Sequence, residues 1–156
     1  MLPAVREARE TERELDLGGL AQHGEGAGWG FVGYLDLDCA QEVCDYKLSG
    51  SRWSQNCADR DWQVDAYLWL RELAGEPAEE FCFHVARPGS EEVAVIRTRR
   101  SAERLRFFER RLAGIAERIA QAVSSRVWGY APEGAWWCSR KWCASWDGCP
   151  AGGGVA

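Results

Sequence analysis

Between positions 29 and 48 the chain alternates apolar and polar residues with a period of two, the signature of half-buried strands. The pattern predicts a β-hairpin whose first run ends at Asp38, whose turn passes through Ala40 and Gln41, and whose second run starts near Glu42. In that second run Cys44, Tyr46 and Leu48 share one face, while Val43, Asp45 and Lys47 share the other. A polar linker over 49–53 follows, and Ser51 or Ser54 is placed to cap a helix over about 55–74 that stops at Gly75 and Pro77. Trp62, Ala66, Trp69 and Leu73 make its predicted buried stripe, and Asp59, Gln63 and Tyr67 repeat every four residues beside it. Two more strands, 81–86 and 93–98, flank the turn Arg87-Pro88-Gly89-Ser90. Ser101 then caps a long helix reaching about Ser124, with Leu105, Phe108, Leu112, Ile115 and Ile119 inward. At the front, Glu7, Glu10 and Glu14 fall at helical spacing and predict a short helix or a frayed lead-in over 1–14, followed by a short strand at Leu15 and Leu17. The order of elements predicts an α/β (α+β) fold, a mixed central sheet flanked by helices.

Composition narrows the class. With 156 residues, 46% of them hydrophobic, the chain is long enough for one domain with its own core, expected over 1–150 with a flexible tail over 151–156. No window is long and apolar enough for a bilayer-spanning helix, so no membrane partner is expected, and MLPAVREARETERE lacks the apolar centre of an export signal. Seven cysteines, an odd number, fit a reducing cytoplasmic setting in which thiols act as ligands or core residues.

The net charge of −5 disguises a division. Residues 1–96 hold 8 Lys/Arg against 19 Asp/Glu, and residues 97–156 hold 11 against 5. Arg97, Arg99, Arg100, Arg104, Arg106, Arg110 and Arg111 form a basic segment that suits phosphate contacts, or equally the solvent face of an amphipathic helix.

Candidate chemistry gathers at the hairpin. Pairing of its strands could bring Asp36 close to Asp45 and Lys47, two carboxylates and a cation suited to a divalent metal, although an alternating Asp/Lys face is also what solvent selects. Gln63 and Tyr67, one helical turn apart, either face that site or lie on a polar flank. His23 reads as exposed and His84 as a strand residue with a satisfied partner. In the tail, WWCSRKWCASWDGCP places Cys138, Cys143 and Cys149 at Cys-x4-Cys-x5-Cys among tryptophans. The tight CxxC pairs of structural zinc are absent, whereas iron–sulfur clusters accept varied spacing and an apolar shield. A fourth thiolate would have to come from Cys39, Cys44, Cys57 or Cys82, of which Cys44 and Cys82 look like core strand residues.

Together, GYLDLD with Asp36, CDYK with Asp45 and Lys47, QVDAY with Gln63 and Tyr67, and the cysteine-rich tail resemble the PD-(D/E)XK nuclease superfamily. The likeness is to its RecB-like exonucleases, found in phages and beside CRISPR systems, and it runs from about 28 to 150. The resemblance implies an αβββαβ core and a Mg²⁺- or Mn²⁺-dependent deoxyribonuclease acting on DNA. Asp36, Asp45 and the backbone carbonyl of Tyr46 would face the metal, Lys47 would assist the attacking water, and Gln63 and Tyr67 would support the site or touch the strand. Cys138, Cys143 and Cys149 would supply three ligands of a 4Fe–4S cluster. Family members carry a longer N-terminal helix that adds a further site residue. Here that helix is expected to be short or missing, and a protein partner that completes the site is expected in its place. The alternative is a truncated or degenerate nuclease-fold module that binds nucleic acid and holds structural zinc.

Overall fold

A computed structural model describes residues 8–18, 30–132 and 134–150. The chain divides into two compact units, Met1–Ala116 and Glu117–Ala156. The first carries a five-stranded sheet in the order β1 (Ala8–Gly18), β2 (Gly30–Cys39), β3 (Glu42–Leu48), β4 (Glu80–Ala86), β5 (Val93–Thr98). Neighbours are antiparallel except β3 and β4, which run parallel. Parallel strands need a crossover, and it is supplied by α1 (Gln55–Arg60) and α2 (Trp62–Leu73). A third helix, α3 (Ala102–Ser125), follows β5. The mixed sheet with helices is the expected α+β class.

One sheet face builds the main core. Leu35, Val43, Phe81, Phe83 and Val85 from the strands meet Ala58 of α1, Val64, Leu68, Trp69 and Leu70 of α2, and Leu105 and Phe108 of α3. The other face carries a smaller buried cluster drawn from strands alone, Leu37, Cys39, Cys44 and Cys82, with Val95 packed against it.

Several expectations hold. The hairpin turns through Ala40 and Gln41, the turn after β4 has Gly89 at φ 77° with Ser90 N donating to Arg87 O at 3.1 Å, and Ser101 Oγ accepts Arg104 N at 3.1 Å to start α3. Ser54, one of the two serines proposed, is the cap of α1, accepting Cys57 N at 3.3 Å.

Three expectations are corrected. Residues 8–14 form the front of β1 rather than a helix, pairing Arg13 with Leu35 and Glu14 with Tyr34, and residues 1–7 lie outside the described residues. The local Glu/Arg spacing loses because Arg13 finds distant partners, Asp38 and, at 3.1 Å, Glu76. The single helix over 55–74 is two, broken at Asp61, whose extended backbone (ψ 119°) lets its carboxylate accept Gln63 N at 2.9 Å and cap α2. The break rotates α2, so its buried stripe is Val64, Ala66, Leu68, Trp69 and Leu70, while Trp62 (62% exposed) and Leu73 face solvent. It also separates Asp59, bonded to Thr98 at 2.8 Å, from Gln63 and Tyr67.

At the hairpin, β2 changes phase. Leu35 faces the helices, and so does Asp38, which is paired with Arg71 of α2, whereas Leu37 and Cys39 between and beyond them face the opposite side. Strict alternation forbids that, so the shift falls at Asp36, the point past which β2–β3 pairing stops at Leu37–Cys44. On β1, Glu12 sits between the pairs Thr11–Leu37 and Arg13–Leu35 with φ 54°, an uncommon conformation for a residue with a Cβ.

Candidate active site

The phase change opens a wedge between β2 and β3. Asp36, exposed at its mouth, spans it by accepting Tyr46 N at 2.9 Å, so its carboxylate does the bonding that a ladder carbonyl would otherwise do. Asp45 points to the opposite side of β3 from Cys44, toward the helices, and is buried at 3% exposure. Gln63 Nε2 donates to Asp45 Oδ1 at 3.0 Å, and Lys47 Nζ donates to Gln63 Oε1 at 2.8 Å. Lys47 Nζ also lies 2.7 Å from Asp45 Oδ2, an ion pair whose angle leaves that buried oxygen without a directed hydrogen bond. Gln63 Nε2 reaches the Tyr67 hydroxyl at 3.1 Å.

The amide of Gln63 is thus the hub. It sits in the first turn of α2, placed there by the Asp61 cap, and Tyr67 follows one turn on, against Phe81. Burial pushes the Asp45 carboxyl above the ordinary carboxylate range despite the nearby Lys47, and the neighbouring Asp36 charge adds to the shift. Beside the site runs a groove of about 520 Å³, lined among others by Phe31, Gly33, Tyr34, Trp62, Gln63 and Tyr67.

The structure therefore brings Asp45, Lys47, Gln63 and Tyr67 into one bonded set and places Asp36 on the adjoining strand, bonded to Tyr46. The basic segment is mostly committed to structure. Arg100 and Arg104 both pair with buried Asp65, Arg97 approaches Glu42 and Glu80, and Arg99 approaches Glu80. Arg106, Arg110 and Arg111 are exposed on α3. His23 lies outside the described residues.

In the second unit, Cys138, Cys143 and Cys149 are each half-buried in a chain of tight turns ending in a short 3-10 helix, Trp146–Gly148. Trp136 packs edge-on against Trp137 and Trp142. Among the described residues the close groupings of metal-ligating atoms lie elsewhere, in the strands. Cys44, Cys82 and His84 form one, and Cys39, Glu42 and Cys44 form another, with the ligand atoms of each within 4.8 Å of one another. These groups could hold a metal. Interaction with Cys82 and then burial push the Cys44 pKa up, interaction with Cys44 pushes that of Cys82 down, and burial and then Arg97 push that of His84 down. Sequence reasoning named these residues singly and missed the set. Cys82 and His84, two apart on a strand, share a face by period alone, but only the parallel register that sets Cys44 opposite Cys82 completes the group.

No family model matches the chain, and no curated protein matches it. Among solved structures, the crystal structure of SSO0001 is similar, with 21% identity and a TM-score of 0.53 over 91% of this chain. The matched region is 60% of that chain's length, so this chain spans less than two thirds of it. The likeness is one of fold.

Proposed function

We propose that this chain is a metal-dependent DNA exonuclease domain of the RecB-like PD-(D/E)XK type. The observation that carries the reading is the bonded set of Asp45, Lys47, Gln63 and Tyr67 beside the wedge that Asp36 spans. The Asp45 carboxyl, raised by burial and further by the neighbouring Asp36 charge, and with Lys47 Nζ 2.7 Å from its Oδ2 as its close cation, forms with Asp36 a donor set that a hard cation relieves. The Asp36 and Asp45 carboxylates with the Tyr46 carbonyl would hold Mg²⁺ or Mn²⁺. Such an ion acidifies a bound water and stabilises charge on a phosphate.

The chain's own groups do the rest. Lys47, held by Gln63 Oε1, presents its ammonium where it orients the attacking water and meets charge developing on the phosphate. Gln63 keeps Asp45 and Lys47 apart in role by donating to one and accepting from the other, and Tyr67 fixes its amide. Exposed Tyr34 and Trp62 at the groove offer faces on which bases stack, and Arg106, Arg110 and Arg111 offer phosphate contacts. In the tail, Cys138, Cys143 and Cys149 would supply three of the four ligands of a 4Fe–4S cluster, with Trp136, Trp137 and Trp142 packed on one another beside them.

The test separates chemistry from binding. The full chain with Mn²⁺ degrades linear DNA, and Lys47→Gln slows it by at least about 100-fold, in the range for a positioned acid–base group, while calorimetric Mn²⁺ affinity stays within a few-fold. Equal rates for parent and variant overturn the role of Lys47. Protein purified without oxygen is brown. Colourless protein that loses one zinc per chain on Cys138→Ser, Cys143→Ser and Cys149→Ser together favours the nucleic-acid-binding module instead.

A further inference from the structure

The face of β3 turned away from Asp45 carries buried ligands that the nuclease reading does not use. Cys44 on β3 lies directly opposite Cys82 on β4, and His84 follows Cys82 on the same face. All three are buried, with His84 Nε2 3.4 Å from Cys82 Sγ. That spacing is close to the roughly 3.6 Å edge of a tetrahedron built from a zinc–sulfur bond of about 2.3 Å and a zinc–nitrogen bond of about 2.0–2.1 Å. The Sγ atoms and the imidazole nitrogen lie within 4.8 Å of one another, as the corners of one coordination shell must.

A second feature points at the same place. Glu42 is 1% exposed, and its Oε2 has no hydrogen-bond partner among the described residues, with Arg97 Nε 3.7 Å away. A buried carboxylate oxygen left without a directed donor is unfavourable unless something compensates its lost hydration. That carboxylate lies within 4.8 Å of the Cys39 and Cys44 Sγ atoms, in a grouping that shares only Cys44 with the Cys44–Cys82–His84 set.

We propose that Cys44, Cys82 and His84 hold a thiophilic divalent cation, Zn²⁺, and that the buried carboxylate of Glu42, which lies beside Cys44, turns in to take the fourth position as the ion binds. Soft thiolates and one imidazole select zinc over Mg²⁺ or Ca²⁺, and four protein ligands then leave no open position, so the site is structural rather than catalytic. Both thiols lose their protons to solvent as the ion binds, and Arg97 beside Glu42 offsets the resulting negative charge. The ion ties β3 to β4, the one parallel pair of the sheet among the described residues, on the face whose buried cluster is drawn from strand residues. It is independent of the divalent ion proposed at Asp36 and Asp45, which lies across the sheet.

The experiment uses the full chain with Cys138, Cys143 and Cys149 all replaced by serine, which removes the tail as a metal source. After chelation and reloading, this protein is expected to bind one zinc per chain and to melt several degrees higher with zinc than without. Cobalt in its place gives the intense visible bands of a tetrahedral site with thiolate charge transfer. Adding Cys82→Ser and His84→Ala weakens zinc binding by about 100-fold or more, beyond the 10–100-fold cost of merely disturbing an outer partner, and abolishes the zinc-induced shift. Glu42→Gln weakens binding less. His84→Cys keeps a ligand at that corner, so it retains cobalt and strengthens the charge-transfer band, which shows that loss in the other variants is not misfolding. A folded tail-serine protein that takes up no zinc or cobalt overturns the proposal. So does unchanged affinity in the Cys82→Ser/His84→Ala variant, or a Cys44–Cys82 disulfide in protein prepared under reductant.

Discussion

Arg71 fastens the hairpin turn to α2, and its removal should be among the most damaging single changes to the fold. The side chain is fully buried and paired with fully buried Asp38. It also donates from Nε to Glu76 O at 2.6 Å, from one terminal nitrogen to Cys39 O at 3.1 Å and from the other to Ala40 O at 3.3 Å. Arg71→Met keeps the volume of the stem but leaves Asp38 and three carbonyls without this donor. Breaking a buried pair from one side costs about 3–5 kcal/mol because a charge remains stranded. Arg13 still reaches Asp38, which puts the expected loss toward the lower end. At about 2–4 °C per kcal/mol for a chain of this size, the melting temperature should fall by roughly 6–15 °C. Urea unfolding followed by both circular dichroism and tryptophan fluorescence measures the change. The double variant Arg71→Met/Asp38→Leu should recover part of the loss, since replacing both partners strands no charge. A single variant within about 1 kcal/mol of the parent, well under the cost of a stranded charge, would refute the idea that this pair anchors the turn.

Two other outcomes follow from the same geometry. A Cβ at Gly33 would meet Leu70 Cδ1 at 2.5 Å and the Tyr67 ring at 3.0 Å, so Gly33→Ala should cost about 1–3 kcal/mol by overpacking. It should also reduce the proposed nuclease activity by displacing Tyr67 from Gln63, and a stability scan showing no loss counts against the packing described. Asp45→Asn should raise the melting temperature of the metal-free protein at pH 7. The folded carboxyl titrates above the ordinary 3.8, so its ionised form is penalised at neutral pH and that penalty vanishes below the ordinary value. The gain should therefore shrink as the pH is lowered through that range, and a variant less stable than the parent at pH 7 contradicts the burial argument.

Much of the architecture was legible because it rests on local signals. Period-two alternation marked β2 and β3, the Pro-Gly turn marked β4 and β5, and serines marked the starts of α1 and α3. What escaped was set by distant partners. Arg13 reads as a helical surface residue until Asp38 and Glu76 are placed beside it, and Asp61 reads as mid-helix until its carboxylate caps Gln63 N. At the candidate site, Asp45, Lys47, Gln63 and Tyr67 were nameable from spacing, yet the role of Gln63 as hub depended on how α2 is turned on the sheet. The phase change at Asp36 has no sequence signature, since Leu35, Asp36 and Leu37 alternate as any strand does. Register likewise hid the Cys44–Cys82–His84 grouping: parallel pairing across a crossover is fixed by packing, not by neighbouring residues.

The central claim, a metal-dependent nuclease site at the β2–β3 wedge, meets its most direct test in DNA hydrolysis by parent and Asp45→Ala proteins. Linear DNA labelled at its ends is incubated with each in Mg²⁺, in Mn²⁺ and in chelator. Progressive loss of the substrate is expected with the parent in either metal and none in chelator. Asp45→Ala, while still folded, is expected to release no product above the chelator control. Equal hydrolysis by the folded variant, or hydrolysis that persists in chelator, would contradict the claim.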